Sequence, residues 1–373
     1  EAAHQAAAGG HLPTAAPQPR LANAAGTIPR LRGHRDGISF RHDRTNPLPP
    51  DVVVVDETSM VALPLMARLL DALRPDARVV LVGDPFQLAS VEAGAVLGDV
   101  VGPATDIDAA LDGPLTDNIV VLQRVHRFAA DSAIAALAHA VRSGDADLAI
   151  EVLRDTGSDD VQWIDPADRK ALGQLQDTVV SGAAEVARAA SEGNAGDALE
   201  RAVDLKVLCG TRFGPLGSYA WRDHLERRLP KLVQGLSTGR GYYVGRPVII
   251  TRNDYITGVF NGDTGIVIRN DARTVVAMPG GPDGIRLVLP SQLAAVETWW
   301  AMTIHKSQGS EFAHAVVSLP DARSRVLTRE LLYTGITRGK EKVTVVASEA
   351  ALRRAIDSPV ARASGLRARL WKQ

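Results

Sequence analysis

The sequence predicts an α/β fold built on parallel strands, with a small β unit inserted in its second half. Val52 to Val55 form a run of four β-branched residues without polar alternation, which is typical of a strand buried on both faces in a parallel sheet. A helical pattern and a second apolar strand follow this run. Beyond Gly245 the pattern changes to short β segments separated by Asn-Gly, Asn-Asp and Gly-Gly turns, which predicts the inserted unit.

Length, charge and cysteine content limit the class of protein. A chain of 373 residues is long enough for two or three domains, and a net charge of −1 requires any surface that binds nucleic acid to be a local one. The single cysteine, Cys209, excludes an internal disulfide and fits a reducing compartment. No apolar run approaches the roughly 18 residues of a membrane span. We therefore expect a cytoplasmic protein with no membrane contact.

The first half of the chain is organised around the Val52 strand. Prolines at positions 13, 17, 19 and 29 prevent long helices before it. A helix at 63–73 and a second buried strand at 78–82 complete a parallel strand–helix–strand unit, which brings the two strand ends side by side. A third short strand at 119–122 and a helix at 129–143 are expected to follow.

The second half contains a connecting region and a second α/β unit. Residues 145–205 are acidic and Ala-rich, with a long helix expected near 168–192. The second unit is expected to begin with a strand at Lys206 and a helix near 216–229. The inserted β unit is predicted from strands at 246–251, 265–268, 274–278 and 285–289. The parent fold then resumes with strands at 299–304, 315–319 and 342–347 and a helix at 328–337.

Charged and amide side chains follow the first two strands directly. Ligands of open α/β sheets bind outside the carboxyl ends of the strands. Asp56 can therefore hold a phosphate-bound Mg²⁺, and Glu57 can polarise an attacking water. At the next strand end, Asp84 and Gln87 lie in a Gly-Asp-Pro-Phe-Gln-Leu turn. The side-chain amide of Gln87 can orient a water or sense a phosphate. An acidic turn that simply enters solvent is the alternative for the first pair.

Three arginines can contribute to the same site. Arg124 and Arg127 follow the predicted third strand, and a guanidinium fits phosphate oxygens because it is a planar fork of donors. Arg338 ends the predicted helix Tyr-Thr-Gly-Ile-Thr-Arg and can reach across a domain cleft as an arginine finger. Solvated surface arginines are the alternative.

A dense polar segment follows the strand that ends near Thr303. Its backbone-binding candidates are Thr303, His305, Lys306 and Ser307, whose donors can contact a sugar-phosphate backbone. Its nucleotide-facing candidates are Gln308, Gly309 and Glu311. Base-stacking candidates are Trp299, Trp300, Tyr242, Tyr243 and Phe260.

Together these motifs resemble superfamily 1 helicases, and within them the RecD family. The carrying residues are Val-Val-Asp-Glu-Thr-Ser-Met (54–60), Gly-Asp-Pro-Phe-Gln-Leu-Ala-Ser-Val-Glu-Ala-Gly-Ala-Val-Leu-Gly-Asp (83–99), His-Lys-Ser-Gln-Gly-Ser-Glu-Phe (305–312) and Tyr-Thr-Gly-Ile-Thr-Arg (333–338). In order and spacing they cover most of the chain from about residue 10 onwards.

The resemblance implies two RecA-like P-loop helicase domains with ATP and Mg²⁺ between them. By the family pattern Asp56 and Glu57 are the Walker B pair, Gln87 is motif III, Arg127 is motif IV and Arg338 is motif VI. The implied domains are 1–144 (incomplete), a helical connecting region 145–205, a second domain 206–244 with 297–373, and an SH3-like insertion 245–296 that helps to hold single-stranded DNA. The family moves 5′ to 3′ on DNA, and its partners are DNA ends and the RecB and RecC subunits in recombinational repair. A bacterial, nucleoid-associated location follows.

Two departures from the family pattern stand out. No Gly-Lys-Ser/Thr occurs in the chain, so the Walker A loop that cradles phosphates is missing, and in the family it would lie just upstream of Glu1. The stretch Pro13–Leu21 resembles motif Ia but lacks its usual lysine. We therefore expect a C-terminal portion that is inactive alone. The alternatives are a stand-alone RecD-like or relaxase-type helicase and a non-catalytic subunit for assembly and DNA binding.

Overall fold

The computed structural model describes residues 26–31, 33, 41–90, 94–102, 114–122, 127–129, 131–155, 157–239, 241–254, 256–271, 273–281, 283–360 and 365–371. The motif Ia-like stretch Pro13–Leu21 and the residue Arg124 lie outside these ranges. Within the described residues no helix is long and apolar enough to cross a membrane.

The elements alternate between helices and strands, as expected of an α/β protein. The helices are α1 (Ile28–Leu31), α2 (Leu63–Asp71), α3 (Val96–Val101), α4 (Ala133–Ser143), α5 (Ala146–Arg154), α6 (Arg169–Ser191), α7 (Ala195–Asp204), α8 (Ser218–Leu232), α9 (Arg329–Ile336), α10 (Glu349–Ile356) and α11 (Leu366–Leu370). The strands are β1 (Val52–Val55), β2 (Arg78–Leu81), β3 (Val161–Ile164), β4 (Leu205–Cys209), β5 (Pro247–Ile250), β6 (Thr264–Asn270), β7 (Arg273–Pro279), β8 (Ile285–Val288), β9 (Val296–Thr298), β10 (Ala301–Thr303), β11 (Phe312–Ser318) and β12 (Gly339–Val346).

The first sheet consists of β1 and β2, which pair in parallel with Val55 opposite Leu81. This register confirms the predicted strand–helix–strand unit. The prediction that β1 is buried on both faces is wrong for the described residues, because Val53 and Val55 pack on α2 while Val52 and Val54 are 52% and 61% exposed. An uninterrupted apolar run therefore does not by itself show that both faces of a strand are covered.

The segment 119–122 forms no strand, which contradicts the sequence prediction. Val120 and Leu122 are 82% and 86% exposed and pair with no other backbone segment that the structure describes. Their β-branched and apolar character was the only signal for a strand, and it was insufficient without a partner.

The second sheet has five parallel strands in the order β10-β4-β11-β12-β3. Its largely apolar strands and the helices α4 to α10 share one core, to which Leu208, Leu225 and Leu331 contribute. Cys209 is a buried free thiol at the end of β4. The edge strand β3 was not predicted, and it comes from the segment 145–205 that was expected to be a helical connection.

An antiparallel sheet in the order β8-β7-β6-β5-β9 occupies the predicted insertion. Side chains alternate along β6: Val267 lies in the small core of this unit, whereas Ile266 and Ile268 lie in the large core of the second sheet. The unit is therefore packed on the α/β fold through a shared apolar face. Its SH3-like character stays a prediction.

Candidate functional site

The turn after β1 carries the acidic pair in a strained conformation. Glu57 has φ 49 and ψ 41, a left-handed backbone that costs a non-glycine residue about 1–2 kcal/mol. The turn is held by three hydrogen bonds: Glu57 N donates to Asp56 Oδ1 (2.9 Å), Thr58 Oγ1 to the Val55 carbonyl (2.8 Å) and Thr58 N to the Val82 carbonyl (2.9 Å). The last bond joins the ends of the two strands, so the expected neighbourhood of these ends is present.

The charges of five predicted site residues meet at Glu57. Burial raises the pKa of the Glu57 carboxyl, and the charges of Arg338 and Arg127 oppose this effect, while Asp56 and Asp84 add to it. A carboxyl whose pKa is raised is a better proton acceptor in its ionised form than an ordinary glutamate. The arrangement therefore suits Glu57 to proton transfer.

The turn after β2 organises Asp84 and Gln87. Asp84 accepts hydrogen bonds from Phe86 N (2.9 Å) and from Gln87 Nε2 (3.3 Å), and the hydroxyl of Tyr333 bonds to it from α9. Burial, followed by the charge of Asp84, raises the pKa of Tyr333. Gln87 is buried, and its Oε1 has no partner among the described residues. The amide thus retains an unused acceptor inside the site.

Besides the Tyr333 contact, two hydrogen bonds join this turn to the second α/β unit. Leu88 N donates to Thr334 Oγ1 on α9 (2.8 Å), and Gln308 Nε2 donates to the Leu88 carbonyl (2.8 Å). Leu88 itself is buried in the large core. These contacts were not predicted from the sequence, although Thr334 and Gln308 lie inside the motifs that were identified.

Arg338 is the largest fully buried side chain of the described chain, with 1% of its surface exposed. Its Nε donates to the Thr334 carbonyl (3.3 Å) and its Nη1 to the Ser310 carbonyl (3.2 Å), while its Nη2 has no partner among the described residues. Burial lowers the pKa of Arg338, and the nearby charge of Arg127 acts in the same direction. A guanidinium remains charged in proteins. A buried cationic donor without a partner is costly, and it points to an anionic ligand.

Arg127 lies next to this group but is paired with Glu311. Its Nε donates to Glu311 Oε1 (2.7 Å) and its Nη1 to the Thr337 carbonyl (2.8 Å), and Lys340 Nζ contacts Glu311 Oε2 at 2.9 Å. Burial acts to raise the pKa of Glu311, but its bonds to Lys340 and Arg127 outweigh it and the pKa is lowered. Glu311 is thus an ionised partner of two cations, and its predicted contact with nucleotide stays a prediction.

The segment predicted to contact DNA follows β10 as the short 3-10 turn Ile304–Ser307. Ser307 is fully buried and donates its hydroxyl to the Ile304 carbonyl (2.8 Å), so it shapes the turn and presents no donor at the surface. Lys306 is held by Glu297 at 2.6 Å, and Thr303 and His305 are half-buried. Gly309 is exposed with φ +77, a conformation that favours glycine.

The proposed stacking aromatics are mostly enclosed. Trp299 and Trp300 are buried, and Tyr243 donates to Glu226 Oε1 (2.8 Å) while it accepts from Trp300 Nε1 (2.9 Å). Tyr242 and Phe260 are half-buried. The two tryptophans therefore offer no open face for a base, which the sequence pattern alone did not show.

The arrangement fits a bound polyphosphate only in part. The unpaired Arg338 Nη2 and Gln87 Oε1, beside the acidic pair, match the donors and acceptors that a nucleotide, a water and a hard cation require. Among the described residues no group of three or more histidine, cysteine or acidic side chains forms a metal site. A magnesium ion here would therefore need phosphate and water oxygens in addition to Asp56.

Comparisons with known proteins agree with these motifs. The family model described as an AAA domain matches residues 2–165, and the model described as a UvrD-like helicase C-terminal domain matches residues 298–346. The chain is 45% identical to the RecBCD enzyme subunit RecD of Mycolicibacterium smegmatis, over 93% of this chain and 59% of that protein. The RecD subunit of Haemophilus influenzae is 35% identical over 87% of this chain and 55% of its own length.

More distant relatives and solved structures are also helicases by name. The ATP-dependent RecD2 DNA helicase of Deinococcus radiodurans is 32% identical over 85% of this chain and 39% of its own length. A crystal structure of Pif1 helicase from Bacteroides in complex with ADP-AlF3 and ssDNA covers 83% of this chain and 73% of that one, with 17% identity and a TM-score of 0.40. The chain spans less than two thirds of the length of each of the three curated relatives named here.

Proposed function

The chain is RecD-like along more than nine-tenths of its length, and from this premise we propose that it carries most of the motor of an ATP-dependent DNA helicase subunit. The full protein moves 5′ to 3′ along single-stranded DNA and acts at double-strand DNA ends in recombinational repair. The observation that carries this proposal is the buried Arg338, whose free Nη2 lies in the same charge cluster as Glu57. A buried cation with an unpaired donor is costly, so its presence beside carboxylates of the first α/β unit is explained by a bound ligand and not by the stability of the fold.

The roles of the site residues follow from their positions. Glu57, with its raised pKa, orients the attacking water and accepts its proton. Gln87 accepts a hydrogen bond from this water with its free Oε1. Its Nε2, which donates one hydrogen to Asp84, has a second hydrogen for a phosphate oxygen. Arg338 donates hydrogen bonds to the phosphate oxygens as their negative charge develops. Arg127, which is held by Glu311, adds a second positive charge nearby. Mg²⁺, when bound at Asp56, neutralises phosphate charge.

The contacts of Leu88 couple nucleotide hydrolysis to the segment that holds DNA. Leu88 is bonded to Thr334 on one side and to Gln308 on the other, and Gln308 directly follows the turn that carries His305 and Lys306. A change in the distance between the two units alters these bonds first. Thr303, His305 and Lys306 hold the sugar-phosphate backbone, and Ser307 fixes the turn that presents them.

The wider assignment rests on the named relatives. Those called RecBCD enzyme subunit RecD support RecB and RecC as partners. The proposed place of action is the bacterial nucleoid. We also keep the proposed domain limits of 1–144, 145–205, 206–244 with 297–373, and 245–296, with β3 as an edge strand contributed by the connecting region.

A directional unwinding assay on the full-length protein tests the proposal. With its partner subunits present and their own ATP hydrolysis blocked, we expect ATP-dependent unwinding of duplexes that carry a 5′ single-stranded tail, and little unwinding of those with a 3′ tail. Unwinding without partner subunits would favour a stand-alone helicase. Binding of single-stranded DNA without any ATPase would favour a non-catalytic subunit instead.

A further inference from the structure

The loop after β4 carries an exposed aromatic side chain in a defined setting. Phe213 is 74% exposed, and among the aromatic residues that the structure describes it is the only one classed as exposed. Its ring meets the ring of Tyr219 edge to face, with centroids 5.1 Å apart. The guanidinium of Arg222 lies 4.7 Å from the centroid of the Tyr219 ring. Phe213 and Arg222 thus both pack against Tyr219, and we call these three side chains the Phe213 platform.

The backbone beneath the Phe213 platform is fixed by local hydrogen bonds. Thr211 Oγ1 donates to the Phe213 carbonyl (2.9 Å), and Ser218 N and Tyr219 N donate to the carbonyls of Thr211 (3.0 Å) and Arg212 (3.1 Å). A Cβ on Gly217 would lie 2.5 Å from the Phe213 carbonyl oxygen, so this tight turn requires glycine. The exposed ring is therefore presented by an ordered turn, and binding a ligand there does not first require the turn to be ordered.

The platform lies next to the segment predicted to contact DNA. In the second sheet β10 is the neighbour of β4, and Thr303 at the end of β10 is in register with Cys209 at the end of β4. The turn Ile304–Ser307 and the Phe213 loop thus leave the same edge of the sheet side by side. Arg212 is exposed beside the ring. Arg222, by contrast, is paired with Asp223 at 3.1 Å. An exposed aromatic ring beside an exposed arginine is a surface that suits single-stranded nucleic acids, because a base stacks on the ring and a phosphate pairs with the cation.

We propose that Phe213 stacks on a base of single-stranded DNA that runs from the Thr303–Lys306 segment across the end of β4. Tyr219 and Arg222 hold the ring, and Arg212 faces the adjacent phosphate. This inference rests on the proposed function, because it places a base-stacking residue on the track of that motor. A protein partner is disfavoured because the ring is flanked by an arginine and a glycine, Arg212 and Gly214, which are both exposed and offer no wider apolar surface.

Titration of the full-length protein with fluorescent oligothymidine tests the proposal, with a single 2-aminopurine placed at successive positions. We expect Phe213→Ala and Phe213→Leu to weaken binding about tenfold, the order reported for loss of one stacked base. Phe213→Trp should keep the parental affinity. Phe213→Leu should also change the 2-aminopurine fluorescence at one position only. The control Leu232→Ala, at an exposed apolar site on the far end of α8, should match the parent.

The outcomes separate this inference from the motor itself. Unchanged DNA affinity of Phe213→Leu in a protein with normal DNA-stimulated ATPase overturns the platform and leaves the proposed function standing. Weaker recovery of the partner subunits with unchanged DNA affinity assigns the ring to a protein contact and also overturns it. If the parent shows no ATPase activity but Phe213→Leu still binds DNA more weakly than the parent, the platform is supported and the motor is not. A parent that does not bind single-stranded DNA refutes both.

Discussion

Arg338, directly before β12, lies close enough to Glu57, in the turn after β1, for its charge to lower the pKa of that carboxyl against the effect of burial. The two residues adjoin strands of different sheets and are far apart in the sequence. Both positions cost stability, since Glu57 adopts a strained backbone and Arg338 has a buried donor without a partner among the described residues. A ligand shared between the two units accounts for both features.

Replacement of Glu57 by Gln removes the proton acceptor and keeps the shape of the side chain. We expect DNA-stimulated ATP hydrolysis by the full-length protein to fall about 10²–10⁴-fold, the range typical of a lost general base. Binding of single-stranded DNA should be unchanged. The exposed Glu341→Gln is the charge-matched control and should hydrolyse ATP at the parental rate. Undiminished turnover by Glu57→Gln would remove this residue from the chemistry.

Replacement of Arg338 by Ala removes the cation that faces the developing charge. We expect hydrolysis to slow by roughly 10³–10⁵-fold, with nucleotide affinity changed far less, as for arginine fingers of related enzymes. Single-turnover hydrolysis and nucleotide titration measure the two effects separately. Arg354→Ala, at an exposed position on α10, is the matched control. An equal loss of affinity and rate would make Arg338 a binding residue only.

Replacement of Thr334 by Val removes the acceptor of Leu88 N while it keeps the volume of the side chain. A buried amide left without a partner costs about 1–3 kcal/mol, so the contact between the two units should weaken. We expect the stimulation of ATPase by DNA to drop several-fold more than the basal rate. Thr178→Val on the exposed face of α6 serves as control. If stimulation is retained in full, Leu88 is not part of the coupling path.

Lys206 gives the stability of the protein a specific pH dependence. Its side chain is buried, with Nζ 3.3 Å from the Trp299 carbonyl and 3.6 Å from the centroid of the Trp299 ring, and burial lowers its pKa from 10.5 to about 7. Between these two values the unfolded chain binds more protons, so the free energy of unfolding rises with pH. The stabilising effect of the neutral amine is complete above pH 10.5 and is lost as the pH falls to about 7.

A comparison of the parent with Lys206→Met tests this dependence. We expect Lys206→Met to be more stable than the parent at pH 7, by the order of a few kcal/mol, since one pKa unit corresponds to about 1.4 kcal/mol. The difference should shrink as the pH approaches 10. Urea unfolding followed by tryptophan fluorescence measures it, and the exposed Lys170→Met is the control. A difference that is constant between pH 7 and 10 would falsify the shifted titration.

The sequence predicted those parts of the fold that depend on local pattern. The parallel pair β1 and β2, the β unit after Gly245, and the acidic and amide side chains after β1 and β2 could be predicted, because strand polarity and turn residues determine where a side chain leaves the sheet. Arg127 was expected to follow a strand at 119–122, which the structure does not contain. The charges predicted to share one site do influence one another in the structure.

Features that depend on distant packing could not be predicted. Whether Val52 is covered, and whether 119–122 finds a partner strand, is decided by residues far along the chain. The same holds for the burial of Trp299 and Trp300, which were candidates for base stacking, and for the pairing of Glu311 with Arg127. Phe213 was missed because a single phenylalanine in a glycine-rich loop carries no periodic signal.

The alternation of side chains along β6 restricts how the inserted sheet can take part in movement. Ile266 and Ile268 pack in the core of the neighbouring α/β unit. The insertion therefore cannot rotate about its connecting segments without exposing that core to water. It therefore moves together with the sheet that carries Thr303, so in the proposed motor any movement would displace both by the same amount.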